Sequence, residues 1–161
     1  MIDQVGRHVL LVLVENRPGV LLRVVSLISR RGFNIDTLAV GETDNHEISS
    51  MTITSTGDQR TIDQIEKQLN KNVDVIKVRR LSDAKSVCLE MMLIKVAYNL
   101  SNRTPLIEFC QVMGAKVMKV APKYLLIEYH DEPENVEDFI KAMKGYGIIE
   151  IQRTGTIAME K

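Results

Sequence analysis

In this 161-residue chain, the segment Asn16-Arg17-Pro18-Gly19-Val20-Leu21 has residue types and spacing that could do chemistry. It follows a run of branched apolar residues and precedes apolar residues at helical spacing, so it reads as a strand-to-helix turn. Pro18 suits the first helical turn, where its missing N–H costs little. Gly19 leaves the backbone unshielded at a helix start, where N–H groups are unpaired and the dipole favours an anion. A small carboxylate could sit there, and Asn16 offers both a donor and an acceptor. The same residues also serve a plain turn with a proline at the helix start. Other reactive groups are sparse. His8, His46 and His130 are scattered with no partner at metal-ligand spacing, so no metal site is expected. Cys88 and Cys110 lie in apolar surroundings and read as small core hydrophobes. No phosphate loop or dinucleotide fingerprint occurs, and no Cys/His or Ser/His/Asp set can be assigned, so no catalytic residue is named.

The elements that must position the turn follow from periodicity. His8 to Val14 is almost wholly apolar and reads as a buried strand. Val20, Leu21, Val24, Leu27 and Ile28 recur at helical spacing, with Arg23, Arg30 and Arg31 on the other side, and Gly32 closes the helix. Asn34 to Thr43 is a strand candidate in which Ile35, Thr37, Ala39 and Gly41 alternate against the rest. Thr43 to His46 is a polar hairpin loop. Ile48 to Thr56 alternates, with Met51 and Ile53 on one face and Thr52 and Thr54 on the other. Gly57-Asp58 caps a helix to about Asn70 with an Ile62, Ile65, Leu69 stripe, and Val73 to Val78 is a strand. Arg79 to Ser86 reads as a short linker.

The order then repeats. Val87 to Ala97 is a strand. Thr104 is a plausible N-cap with Pro105 behind it, and Leu106, Phe109, Cys110 and Met113 line a helix ended by Gly114. Lys116 to Val120 and Tyr124 to Tyr129 form a strand pair. Pro133 opens a helix with a Val136, Phe139, Ile140, Met143 stripe, and Ile148 to Thr156 closes the sheet. The fold class is therefore α+β, two ferredoxin-like β-α-β-β-α-β domains over residues 1–79 and 80–161. The halves share topology but no residue-level identity.

Composition narrows the partners. Lys and Arg total 21, as do Asp and Glu, and the formal net charge is zero. Residues 1–80 hold 11 basic and 10 acidic side chains and the remainder 10 and 11, so neither half is a basic module. Aromatics make up 4% with no Trp. No nucleic-acid partner is expected on either count. The longest apolar run, Val9 to Val14, is far short of the roughly 20 residues of a membrane helix. Met1-Ile2-Asp3-Gln4 opens no signal peptide, so a cytoplasmic chain with no membrane contact is expected.

Asn16-Arg17-Pro18-Gly19-Val20-Leu21-Leu22-Arg23-Val24, with Arg31-Gly32-Phe33-Asn34-Ile35-Asp36-Thr37-Leu38, resembles an ACT domain, a small-molecule-sensing module of this same order. More narrowly, the chain resembles the small regulatory subunit of acetohydroxyacid synthase (acetolactate synthase). Ser50-Met51-Thr52-Ile53, Ile62 to Leu69 and Val73 to Val78 match the first domain of that family. Met92-Leu93-Ile94-Lys95-Val96 opens its second, and Arg153-Thr154-Gly155-Thr156-Ile157-Ala158-Met159 is similar to its C-terminal end. Gln111-Val112-Met113-Gly114-Ala115 departs from it, standing where a Phe-Arg-Gly is expected.

The resemblance implies a non-catalytic chain with no cofactor of its own. A large catalytic subunit would carry thiamine diphosphate, Mg²⁺ and FAD. The small subunit would activate it and confer feedback inhibition by valine, or by leucine or isoleucine. It also implies a homodimer through the first domain, with the amino acid between the copies. The ligand carboxylate would meet N–H groups near Gly19, Val20 and Leu21. Asn16 and Asn34 would make polar contacts, Asn34 from the neighbouring chain, and Ile35 would hold the branched side chain. Asn34 has a second reading as a local turn or strand-start residue. Asn102-Arg103-Thr104-Pro105 lacks a following glycine, so no site of the same kind is expected in the second half. A free-standing ACT sensor of another enzyme or regulator is the alternative. An acylphosphatase would need a longer Gly-rich phosphate loop around Arg17. An RNA recognition motif would present aromatics where Met51, Ile53 and Ala39 stand.

Overall fold

The computed structural model describes residues 6–30 and 32–161. The readings of Met1 to Gln4 and of Arg31 lie outside them. The elements in chain order are β1 (Gly6–Glu15), α1 (Val20–Ser29), β2 (Thr37–Glu42), β3 (Ile48–Gly57), α2 (Gln59–Leu69) and β4 (Val75–Leu81). One turn of 3₁₀ helix, Asp83–Lys85, leads to β5 (Ser86–Ala97), α3 (Arg103–Val112), β6 (Lys116–Val120), β7 (Tyr124–Asp131), α4 (Pro133–Met143) and β8 (Ile148–Glu160). Each half forms a four-stranded antiparallel sheet, in the orders β2-β3-β1-β4 and β6-β7-β5-β8. The expected α+β fold with two β-α-β-β-α-β motifs is the observed one. The chain divides into two compact units, Met1–Cys88 with Thr156–Lys161, and Leu89–Gly155.

In the first unit β1 is central, bonded to β3 on one side and β4 on the other. Leu10 stands opposite Ile53 and Val12 opposite Met51. These four join Val14, Val20, Val24, Ile28, Ile62, Ile65 and Leu69 in one core under the two helices. Each such side chain contributes about 1.5–3 kcal/mol on burial. Asp58 caps α2, its Oδ1 accepting the Thr61 N–H at 2.6 Å. In the second unit Met92, Ile94, Val96, Leu125 and Ile127 meet Leu106, Cys110, Val136 and Met143. Phe139 lies there between Phe109 and Tyr129, with ring centroids 5.7 and 4.3 Å away. Cys110 is fully buried, and burial pushes its thiol up to about 11, so it behaves as a core residue.

Most boundaries fall within two residues of the sequence reading, and four departures bear on the packing. The second strand starts at Thr37 and not Asn34, because Asn34 Nδ2 donates to Asp36 Oδ1 and holds that segment in a local turn. Ile35 consequently packs on the helix-side core, away from the face of Thr37 and Ala39. Arg79 and Arg80, assigned to the linker, are strand residues opposite Leu11 and Leu10. Their charged ends reach Glu160 and His8 from opposite faces of the edge strand. Thr104 is not the cap of α3. Asn99 Oδ1 accepts from the Ser101 and Asn102 N–H groups, and the helix starts one residue earlier than the cap expected there. The last strand runs to Glu160, four residues past Thr156.

Glu90 is a charge inside the second unit, 1% exposed. Arg153 Nε meets its Oε1 at 2.5 Å and Arg153 Nη1 meets Glu137 Oε1 on α4 at 2.6 Å. Glu90 Oε2 has no partner among the described residues. Removing the arginine strands a buried carboxylate. Arg153→Met therefore lowers stability by about 3 kcal/mol in urea unfolding, and adding Glu90→Leu recovers most of the loss.

Candidate functional site

The turn after β1 is built by backbone bonds at both of its sides. The Asn16 N–H donates to Glu47 O at 2.7 Å, and the Arg17 N–H to Glu15 O at 3.0 Å. Gly19 then takes φ +85°, the left-handed region, and α1 begins at Val20. No side chain caps this helix. The Val20 N–H is taken by Arg17 O at 3.2 Å, whereas no hydrogen bond among the described residues takes up the Leu21 or Leu22 N–H. Leu21 is largely exposed and Val20 is buried in the core. The bare donors at the helix start are therefore those of Leu21 and Leu22. Val20 contributes only a bonded N–H.

Asn16 is held by the β2–β3 hairpin. Its Nδ2 donates to Glu42 Oε1 at 3.1 Å and to His46 O at 2.8 Å. Glu42 Oε2 in turn meets His46 Nδ1 at 2.9 Å. With its amide hydrogens engaged, Asn16 keeps its Oδ1 as an acceptor, which suits an ammonium group. Asn16 lines a cavity of about 460 Å³, whose other walls are Glu15, Arg17, Asn45, His46, Glu47, Ile48 and Ile76. Arg17 Nη1 pairs with Glu15 Oε2 at 3.2 Å at its mouth. The hollow is lined by one arginine, the two carboxylates of Glu15 and Glu47, the two amides of Asn16 and Asn45, the His46 ring and two isoleucines.

Asn34 and Ile35 are elsewhere. Asn34 O accepts from Ser55 Oγ at 2.7 Å, and Ser55 pairs with His8 near the start of β1. Asn16 follows the end of β1. Eight strand residues at about 3.3 Å each put the two asparagines roughly 25 Å apart along one sheet. Within one chain Asn16 lines the hollow, Gly19 and Leu21 stand at the start of α1 in the same turn, and Asn34 and Ile35 lie apart from both. Asn34 is exposed, with Nδ2 committed to Asp36, and Ile35 is half-buried on its own core.

Glu42, His46, Ile48 and Ile76 are the neighbours that sequence reasoning missed. The signal for Ile48 lay in the register, since it stands opposite Glu15 once β1 pairs with β3. In the second half the corresponding turn is closed by its own side chains. Asn99 Oδ1 takes the Ser101 hydroxyl as well as two N–H groups, and Arg103 lies 5.8 Å over the Tyr98 ring. Among the described residues no three His, Cys, Asp or Glu side chains gather as metal ligands, and no helix is long and apolar enough to cross a membrane.

An uncapped helix behind a left-handed glycine, on a β-α-β-β-α-β sheet with a small hollow at the same turn, is the architecture of an α+β module of the ACT class. Residues 10–77 match the family model described as an AHAS small subunit-like ACT domain, and residues 89–161 match that of the small subunit of acetolactate synthase. The chain belongs to the acetolactate synthase small-subunit family. It is 41% identical to a probable acetolactate synthase small subunit of Methanothermobacter thermautotrophicus, over 96% of this chain and 92% of that one. It is 43% identical to the acetolactate synthase small subunit of Mycolicibacterium smegmatis, over 96% and 91%. The crystal structure of the acetolactate synthase small subunit from Thermotoga maritima superposes with a TM-score of 0.89 at 35% identity, covering 97% of this chain and 98% of that one.

Gly19→Ala tests the turn. A Cβ at this φ is strained and would lie 3.2 Å from Arg23 Nη1. The variant melts lower, by about 1 kcal/mol in unfolding experiments.

Proposed function

We infer that this chain is the regulatory subunit of an acetolactate synthase. It activates a large catalytic subunit that carries thiamine diphosphate, Mg²⁺ and FAD, and makes it sensitive to a branched-chain amino acid. Residues 1–79 sense the amino acid and pair with a second copy, and residues 80–161 serve stability or contact with the catalytic subunit. The assembly works in the cytoplasm.

One observation carries the reading: Asn16 and Asn34 lie at opposite ends of one sheet whose outer strand, β2, has β3 as its one neighbouring strand among the described residues. Antiparallel pairing of β2 with its copy about a two-fold axis sets the Thr37 end of one strand beside the Glu42 end of the other. That brings Asn34 and Ile35 of a second copy toward the hollow beneath Asn16. The ligand carboxylate then takes the bare N–H groups of Leu21 and Leu22 behind Gly19, its ammonium takes the Asn16 Oδ1, and its branched side chain meets apolar walls. A hydrophobic pocket separates one methylene by only about 1–3 kcal/mol, so valine, leucine and isoleucine overlap as ligands.

Thermal unfolding with each of the three amino acids tests the effector. At about a hundred times its dissociation constant a ligand adds roughly 2.7 kcal/mol, and the midpoint rises by several degrees, at about 2–4 °C per kcal/mol. Glycine at the same concentration leaves it unmoved. A second experiment tests the shared site. Asn16→Ala and Asn34→Ala each lose binding as homodimers. Mixed and re-equilibrated, they regain it, because each mixed dimer holds one site with both asparagines intact. No recovery in the mixture means that both residues act within one chain or not at all.

A further inference from the structure

The face of the first sheet turned away from its helices carries the hydroxyls of Thr37, Thr52 and Thr54 beside Val9 and Leu11. Thr54 on β3 stands between Val9 and Thr37 on that face, and it is fully buried there. Thr156 is fully buried too, and it belongs to the same unit, with the last six residues of the chain. Its N–H donates to Thr37 Oγ1 at 3.4 Å, and the Thr37 and Thr54 hydroxyls bond at 2.7 Å. Arg7 Nη2 donates to Thr156 Oγ1 at 2.5 Å. Two further contacts fix the segment, from Arg79 Nη1 to Glu160 Oε2 at 2.8 Å and from the Lys161 N–H to Lys85 O at 2.9 Å. Buried hydroxyls keep their partners, so this chain of bonds has little freedom.

The hydroxyl chain ends where the second strand begins. Next to Thr37, the Asp36 N–H donates to Thr54 O at 2.9 Å. Asp36 Oδ2 accepts from Thr56 Oγ1 at 2.6 Å and its Oδ1 accepts from Asn34 Nδ2 at 2.9 Å. Thr54 thus serves Thr37 through its hydroxyl and Asp36 through its carbonyl, and Asp36 orients Asn34.

We propose that Thr156 and Arg7 are positioning residues for the amino-acid site, setting Asn34 through Thr37, Thr54 and Asp36. The inference rests on the effector reading above and extends it to residues that touch no ligand. It also places a determinant of sensing nearly eighty residues beyond the end of the ACT match at residue 77.

The test uses the full chain with Thr156→Val and Thr156→Ser. Valine keeps the volume and removes the acceptor for Arg7; serine keeps the hydroxyl. Titration calorimetry with valine, leucine and isoleucine gives the dissociation constants, and amide hydrogen exchange follows the Asp36 N–H. In Thr156→Val the constant rises about three- to ten-fold and Asp36 exchanges faster, while Thr156→Ser stays close to the wild type. Arg7→Gln, a change at an exposed side chain, gives the same rise and stands in if Thr156→Val folds poorly. Unchanged binding in Thr156→Val or Arg7→Gln overturns the proposal, as does equal weakening by valine and serine. A wild-type chain that binds none of the three amino acids overturns the effector reading and this inference with it.

Discussion

The antiparallel register of β1 on β3 is the constraint from which the rest of the first unit follows. Leu10 against Ile53 and Val12 against Met51, with Val14, lie under the two helices, while Val9, Leu11 and Leu13 take the opposite face. A slip of one residue would turn the whole set toward the open face. The same register seats Glu15 opposite Ile48, so the β2–β3 hairpin meets the turn after β1. Asn16 finds Glu42 and His46 there for no other reason. Core packing and site geometry are thus two readings of one alignment, and a change that loosens Val12 or Met51 acts on Asn16 as well.

The two units show what a shared topology leaves open. Both place a strand-to-helix turn at the end of their first strand. In the first, a glycine at φ +85° opens the turn and no side chain fills it. In the second, Asn99 satisfies the local N–H groups and Tyr98 carries Arg103 on its ring. At the start of α3 the Arg103 and Leu106 N–H groups are taken by Asn99 O and Asn102 O and Pro105 has none, so fewer donors are left than at Leu21 and Leu22. The ion pairs differ as well: the second unit keeps a charge buried at Glu90 and holds it with Arg153, a costly arrangement that ties α4 to β5.

Much of this was legible in the sequence because period-two and helical patterns report burial directly. Met51 and Ile53 against Thr52 and Thr54 gave the faces of β3, and Ile62, Ile65 and Leu69 gave the buried stripe of α2. Gly19 was legible through its residue type. Arg79 and Arg80 misled because charge reads as solvent, although an edge strand carries charged side chains readily. Asn34 misled because a local bond to Asp36 competes with the strand ladder. The neighbours of Asn16, and Thr156 against Thr37 across 119 positions, depend on tertiary register, which no local window contains.

Two helices start on the same side of the first sheet under opposite arrangements. α2 owns its cap: the Asp58 carboxylate accepts the Thr61 N–H, and that bond, with the Thr61 hydroxyl, holds the acid below its usual range. α1 owns none. An anion resting on its first turn would therefore act as a capping residue that is not covalently part of the protein. The opening turn of α1 would be as firm as the surrounding solution makes it, and helix fraying, ordinarily a fixed property of a sequence, would become a gauge of a dissolved metabolite.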